Sequence, residues 1–219
     1  MAETKNTAGL PEEAEIRRAL ELRHGKELAE KFAAASAAVC GLGGLGSGVA
    51  TALARAGIGS LHLLDFDRVD LANLNRQQYF VHQIGMYKTD ALQENLRQIA
   101  PYCRVRTDTV RITEENLAEL LAGDMIICEA FDDAEAKAML INGVLERYPD
   151  KFIVGASGMA GMGSANKITT RRVMKKFYLC GDGVAEAGPG QSLFAGRVMA
   201  CAAHQAHMVM RIIAGIYEC

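Results

Sequence analysis

The run Gly41-Leu42-Gly43-Gly44-Leu45-Gly46-Ser47 lies between a short apolar stretch, Ala37–Cys40, and a segment of helical apolar spacing over about Leu45–Ala56. A strand that turns on glycine straight into a helix begins a βαβ unit, and no other stretch restricts the fold as much. The alternation then continues. Strands are expected at Ser60–Leu64, Arg104–Val110, Met125–Cys128 and Phe152–Val154, with helices at about Met86–Ile99, Glu114–Leu121 and Asp133–Arg147. Short apolar strands separated by helices imply right-handed crossovers and a parallel sheet covered on both faces. The predicted class is α/β: a Rossmann-like, doubly wound, mostly parallel sheet, extended by antiparallel strands at Ala165–Thr170 and Val173–Leu179.

The two ends read differently. Residues 1–35 form an expected N-terminal helical arm, polar and frayed over the first ten residues and amphipathic from Pro11 to Ala34. Residues 36–219 make the single large domain that a chain of 219 residues accommodates. The segment Leu193–Ile213 is apolar nearly all round, too wide a face for a lone surface helix, so it is expected to be buried, against a second copy in a homodimer. Gly181–Gly190 reads as a mobile loop.

A net charge of −2 gives no electrostatic footprint for nucleic acid, and no nucleic-acid partner is expected. No signal segment or membrane span is recognisable, which predicts a soluble, cytoplasmic protein without a membrane partner. Six cysteines occur with no CxxC pair, so no zinc is expected. Cys40, Cys103 and Cys128 sit in or beside apolar runs and read as small core residues.

Gly41, Gly43 and Gly46 match GxGxxG, a weak signal alone. Asp65 follows 19 residues after Gly46 and ends the next strand, with Asp67 beside it, where a nucleotide ribose is held in such sheets. The stretch Asn73-Leu74-Asn75-Arg76-Gln77 carries little apolar content for a core, and Lys88 opens a helix where a cation opposes the macrodipole unless an anion sits nearby. Asn73, Arg76, Gln77 and Lys88 together suit a triphosphate under attack, whereas a dinucleotide needs no such cationic segment. Asp132 and Asp133 follow another strand at the same sheet edge. Asp133 reads as a helix cap and Asp132 as a ligand for Mg²⁺. Cys180 ends a strand-like run and enters the glycine-rich loop.

These stretches, with Leu64-Asp65-Phe66-Asp67, Gly85-Met86-Tyr87-Lys88, Glu129-Ala130-Phe131-Asp132 and Ala156-Ser157-Gly158-Met159-Ala160-Gly161, resemble the ThiF/MoeB/HesA family, bacterial relatives of ubiquitin-activating enzymes. The resemblance runs across roughly residues 36 to 215. It implies a nucleotidyltransferase that uses ATP and Mg²⁺ to adenylylate the C-terminal glycine carboxylate of a small ubiquitin-like sulfur carrier protein ending in Gly-Gly. Thiamine biosynthesis is the implied pathway, and a cysteine desulfurase is a further implied partner. By position, Gly44 and Asp65 would hold the nucleotide, Asn73, Arg76 and Lys88 the phosphates, and Asp132 the metal. Arg23 is the candidate for an arginine reaching the phosphates from the other subunit, with Arg17 and Arg18 as alternatives. Cys180 is the position where a covalent transfer step would fall. Paired CxxC motifs that hold zinc in many members are missing here, and Ser192 and Gly196 depart from the family's usual residues. Other acceptors, a MoaD-like carrier or a tRNA base carboxylate, remain alternatives within the family. An NAD-binding oxidoreductase or regulator is the alternative outside it.

Overall fold

A computed structural model describes residues 9–185, 188 and 192–219. Residues 1–8, expected to fray, and most of the second half of the expected mobile loop lie outside the described residues. Seven strands form one sheet: β1 (Ser36–Cys40), β2 (Ser60–Leu64), β3 (Arg104–Asp108), β4 (Ile126–Glu129), β5 (Phe152–Ala156), β6 (Thr169–Met174) and β7 (Phe177–Gly181). Their order is β3-β2-β1-β4-β5-β7-β6. All pairings are parallel except β6 with β7. The helices are α1 (Glu13–His24), α2 (Lys26–Ala34), α3 (Gly44–Ala56), α4 (Lys88–Ile99), α5 (Leu117–Leu121), α6 (Ala134–Arg147) and α7 (Ala195–Ala214).

The two-residue period of a strand divides the core in two. Ala37 and Val39 of β1 enter one cluster, with Val49 and Leu53 of α3, Leu92 and Leu96 of α4, and Val209 and Ile212 of α7. Ala38 and Cys40 enter the other, with Leu117 and Leu121 of α5 and Leu140 and Val144 of α6. Both faces are thereby covered, as a parallel sheet requires. A buried polar group on β2 is fully used: the His62 ring nitrogens lie 2.8 Å from Asp124 and 2.7 Å from Asp108.

Several sequence-based boundaries move. The expected helix over Pro11–Ala34 is two helices, because Gly25 adopts φ +82°, which ends α1 and starts α2. The two added strands begin about four residues later than expected. A 3₁₀ turn at Ala165–Lys167 precedes β6, and the hairpin reverses at Lys175-Lys176, a pair with no turn signature. Of these strands β7 joins the parallel sheet and only β6 runs antiparallel. Helix α7 is amphipathic within this single chain. Arg197, Val198, Cys201, Ala202, Gln205, Ala206, Val209 and Ile212 form its buried face against the sheet and α3, while Met199 is 53% exposed. Its broad apolar surface therefore needs no second copy to cover it. The Gln205 amide explains why a polar residue sits there: it donates to the carbonyls of Glu129 and Val154.

Candidate functional site

Strand order reverses between β1 and β4, and a crevice opens at their carboxyl ends, where open α/β sheets bind ligands. The glycine turn occupies one wall. Gly41 has φ +89°, and a β-carbon there would lie 2.8 Å from the Ala130 carbonyl oxygen, so only glycine lets the turn pass the β4 end. A β-carbon on Gly44 would lie 2.8 Å from Val198 Cγ1 and 3.2 Å from Arg76 Cγ, which brings α3, the polar segment and α7 together at one point. Gly46 acts elsewhere: its β-carbon would strike the Gly41 carbonyl at 1.8 Å, so it seats α3 on the turn and does not line the crevice. Asp65 is nearly buried, and its two oxygens accept the backbone N–H of Leu42 at 2.6 Å and of Asp67 at 2.7 Å. That carboxylate fixes the glycine turn to the end of β2.

The crevice encloses about 460 Å³, within the range of small-molecule sites. Gly41, Gly43, Gly44, Asp65, Asp67, Asn73, Arg76, Lys88 and Asp132 all line it. Lys88 is 5% exposed and its Nζ lies 2.8 Å from Asp67 Oδ2, so the helix-opening cation is met by a carboxylate of the same site. Arg76 donates to Asn75 Oδ1 at 3.0 Å. Gln77, also lining, is 7% exposed and its Oε1 is buried without a partner among the described residues. The glycine turn with two cations beside it fits a phosphate-bearing ligand, and the buried Gln77 oxygen, an acceptor, is left for an N–H or O–H of the same ligand. Asp132 is exposed at the rim and Asp133 caps α6 by accepting from Ala136 N at 2.7 Å. One rim carboxylate suits Mg²⁺, which takes most of its ligands from phosphate and water.

Besides Gly46, two more of the expected residues are not brought into this cavity. Arg23 is exposed on α1 and is not a lining residue. Cys180 belongs to β7, is fully buried, and faces Thr170 Oγ1 at 3.5 Å. Burial pushes its thiol up to about 11 despite the Thr170 contact, the opposite of the shift an attacking cysteine needs. The expected loop position fails because β7 extends through Gly181.

Sequence reasoning also missed residues that the structure places here. Lys137, the fourth residue of α6, holds both oxygens of Glu129 at 2.6 Å, and the Glu129 side chain is 0% exposed. Burial pushes the Glu129 carboxyl up, and Lys137 together with the Phe131 and Ala156 N–H groups opposes that rise. Arg111 lies 3.8 Å over the Phe66 ring, and both line the crevice. Arg197 lies outside the crevice and lines the neighbouring cavity, where it pairs with Asp182 at 2.5 Å and donates to the Ser164 carbonyl at 2.7 Å. The only sequence signal for any of them was a strand-end carboxylate with a lysine on the next helix.

The ThiF family model matches residues 17–217. The chain belongs to the ThiF family. This ThiF-family chain is 38% identical over 120 residues to the tRNA threonylcarbamoyladenosine dehydratase of Escherichia coli, which covers 54% of this chain and 45% of that protein. It is 36% identical over 133 residues to the sulfur carrier protein adenylyltransferase of Thermus thermophilus, covering 60% and 49%. It thus spans about half the length of the curated relatives it matches. Among solved structures, the Escherichia coli tRNA N6-threonylcarbamoyladenosine dehydratase in complex with ATP aligns with a TM-score of 0.84 at 23% identity, over 94% of this chain and 98% of that one. That likeness establishes the Rossmann-like fold. Among the described residues no helix is long and apolar enough to cross a membrane, and no group of three or more His, Cys, Asp or Glu side chains forms a metal-binding cluster.

Proposed function

We propose that this protein adenylylates a carboxylate with ATP and Mg²⁺ in the cytoplasm, and that the carboxylate is the C-terminal glycine of a small ubiquitin-like sulfur carrier, as in thiamine biosynthesis. The supporting observation is the convergence on one crevice of the glycine turn, Asn73, Arg76, Lys88 and Asp132. An acceptor carboxylate is already ionised at neutral pH, so no general base is required. Its oxygen attacks the α-phosphorus, and the bond to the bridging oxygen of pyrophosphate breaks. Arg76 and Lys88 are placed to offset the charge on the phosphates, Gln77 to donate or accept beside the glycine turn, and Asp65 to hold the ribose end. Asp132 would hold Mg²⁺, which when bound screens the phosphate oxygens from the approaching carboxylate. Positioning and charge neutralisation supply the acceleration.

The acceptor admits a second reading. Relatives that match this chain include dehydratases named for a tRNA nucleoside, so a carboxylate on a tRNA base is the competing acceptor. Pyrophosphate exchange stimulated by a Gly-Gly carrier and indifferent to tRNA supports the first reading, and the reverse pattern supports the second. A homodimer with Arg23 entering the partner's crevice, and a cysteine desulfurase that delivers sulfur, complete the proposal. The exposed Leu22 on α1, 87% accessible, is an apolar residue that such a dimer would cover. The nucleotide is tested by thermal shift: stabilisation by MgATP is expected, about 2.7 kcal/mol at a hundredfold excess over Kd, and stabilisation by NAD(H) in its place would overturn the reading.

A further inference from the structure

Charge is unevenly distributed along this acidic chain. Residues 151–181 hold six Lys and Arg, at 151, 167, 171, 172, 175 and 176, and no Asp or Glu, although the whole chain has 26 acidic against 24 basic residues. The structure gathers five of the six on the outer edge of the sheet. Strand β6 is the last strand, exposed at five of its six positions, with Lys167 just before it and Lys175 and Lys176 at the hairpin turn. Lys176 pairs with Asp150 at 3.3 Å, and Arg172 binds the Lys175 carbonyl. Lys167, Arg171 and Lys175 have no carboxylate partner among the described residues. Exposed Val173 and Met174, 45% and 56% accessible, lie between the cations.

Edge strands are commonly protected from aggregation by lysine, and that function is served by either sign of charge. Protection does not account for a single sign maintained over the whole segment. It also does not account for where the edge leads. A second cavity of about 410 Å³ is lined by Lys167, by the mutually paired Arg197 and Asp182, and by Met162 and Phe194, and it shares Ala160 and Ala185 with the crevice. The basic edge therefore adjoins an opening that continues to the glycine turn.

We propose that the β6 edge is the docking surface for an acidic protein, the body of the carrier whose tail enters the crevice. This inference rests on the carrier reading above. The six-residue edge is about 20 Å long. It offers an outer row of backbone N–H and C=O groups for an added strand, cations to pair with acidic side chains, and two apolar side chains to bury. Cations interleaved with apolar residues and an open strand edge suit a protein better than a phosphate backbone, which calls for cations alone.

The probe is a recombinant ubiquitin-like sulfur carrier with a Gly-Gly terminus and an acidic surface, used with the full chain in ATP–pyrophosphate exchange. The double variant Arg171→Glu/Lys175→Glu is expected to raise the KM for the carrier about tenfold or more, with the KM for ATP and the thermal midpoint unchanged, because reversed rim charges act on association. A carrier with two surface carboxylates changed to lysine should recover part of that loss. An unchanged carrier KM in a variant that still exchanges would overturn the docking surface and leave the carrier reading standing. No exchange by the wild-type chain with any Gly-Gly carrier would overturn both. Binding of bulk tRNA through the same edge, abolished by the same variant, would assign the edge to RNA and overturn the proposal.

Discussion

The pair of buried Glu129 with Lys137, which lines the crevice, sets a stability test that also reports on the site. In Lys137→Met the lysine's apolar stem is kept and its charge is lost. The Glu129 carboxylate, 0% exposed, is then left with the Phe131 N–H at 2.7 Å and the longer Ala156 contact at 3.5 Å. Removing one member of a buried pair typically costs about 3–5 kcal/mol. Lys137 is itself 22% exposed, so its own desolvation is incomplete and the lower half of that range is expected. The sign with pH follows from the carboxyl, which burial already pushes up in the wild type. Without its partner it rises further, so the folded variant gains stability by binding a proton. The deficit should be largest above neutral pH and should shrink as pH falls toward the ordinary carboxyl range. Urea unfolding of wild type, Lys137→Met, Glu129→Gln and the double variant, at pH 8 and pH 5.5, gives the full cycle. The double variant should recover more than half of the loss. A Lys137→Met protein within about 0.5 kcal/mol of wild type at pH 8 would refute the pairing as a structural determinant.

Cys180→Ala should retain wild-type exchange, because the thiol is buried and pushed up to about 11, leaving roughly one thiolate in a thousand at pH 8. Iodoacetamide at that pH should modify the exposed Cys219 and spare Cys180. Gly44→Val should weaken MgATP binding at least tenfold by isothermal titration, since even a β-carbon there meets Val198 and Arg76, and a larger group would fill the crevice wall. Gln77→Leu, which keeps volume and removes the unpartnered oxygen, should leave the fold as stable as wild type or slightly more so and still lower exchange about tenfold. Arg23→Ala should behave as a nucleotide-site variant only if the protein is a dimer, which sedimentation equilibrium decides.

Legibility varied with how local the determinant was. The glycine turn, the β1 and β2 strands and the acid at the end of β2 were readable because strand period, turn chemistry and helix start all lie within thirty residues. The class of fold followed from their repetition. Gly25 was visible in the sequence, but its left-handed conformation, and hence the break between α1 and α2, depends on how α2 packs on α7 and on its hydrogen bonds near Gly59 and Ser60. The β6–β7 boundary was displaced because a Lys-Lys turn has no glycine or asparagine to mark it. Helix α7 looked uniformly apolar because alanine, cysteine and methionine conceal which face is inside, and its polar Arg197 and Gln205 are buried hydrogen-bonding residues. Arg111 escaped notice since its partner Phe66 is brought near by topology, whereas Lys137 lies only eight residues from Glu129 and the missing information was that Glu129 is buried.

The central claim is that Arg76 and Asp132 serve attack of a carboxylate on the α-phosphate of ATP, and ATP–pyrophosphate exchange reads that step directly. With a Gly-Gly carrier present, wild type should exchange label and Arg76→Ala and Asp132→Ala should lose about 10²–10³ in rate, the scale of removing one charge-stabilising group. Exchange at wild-type rates in both variants would contradict the account.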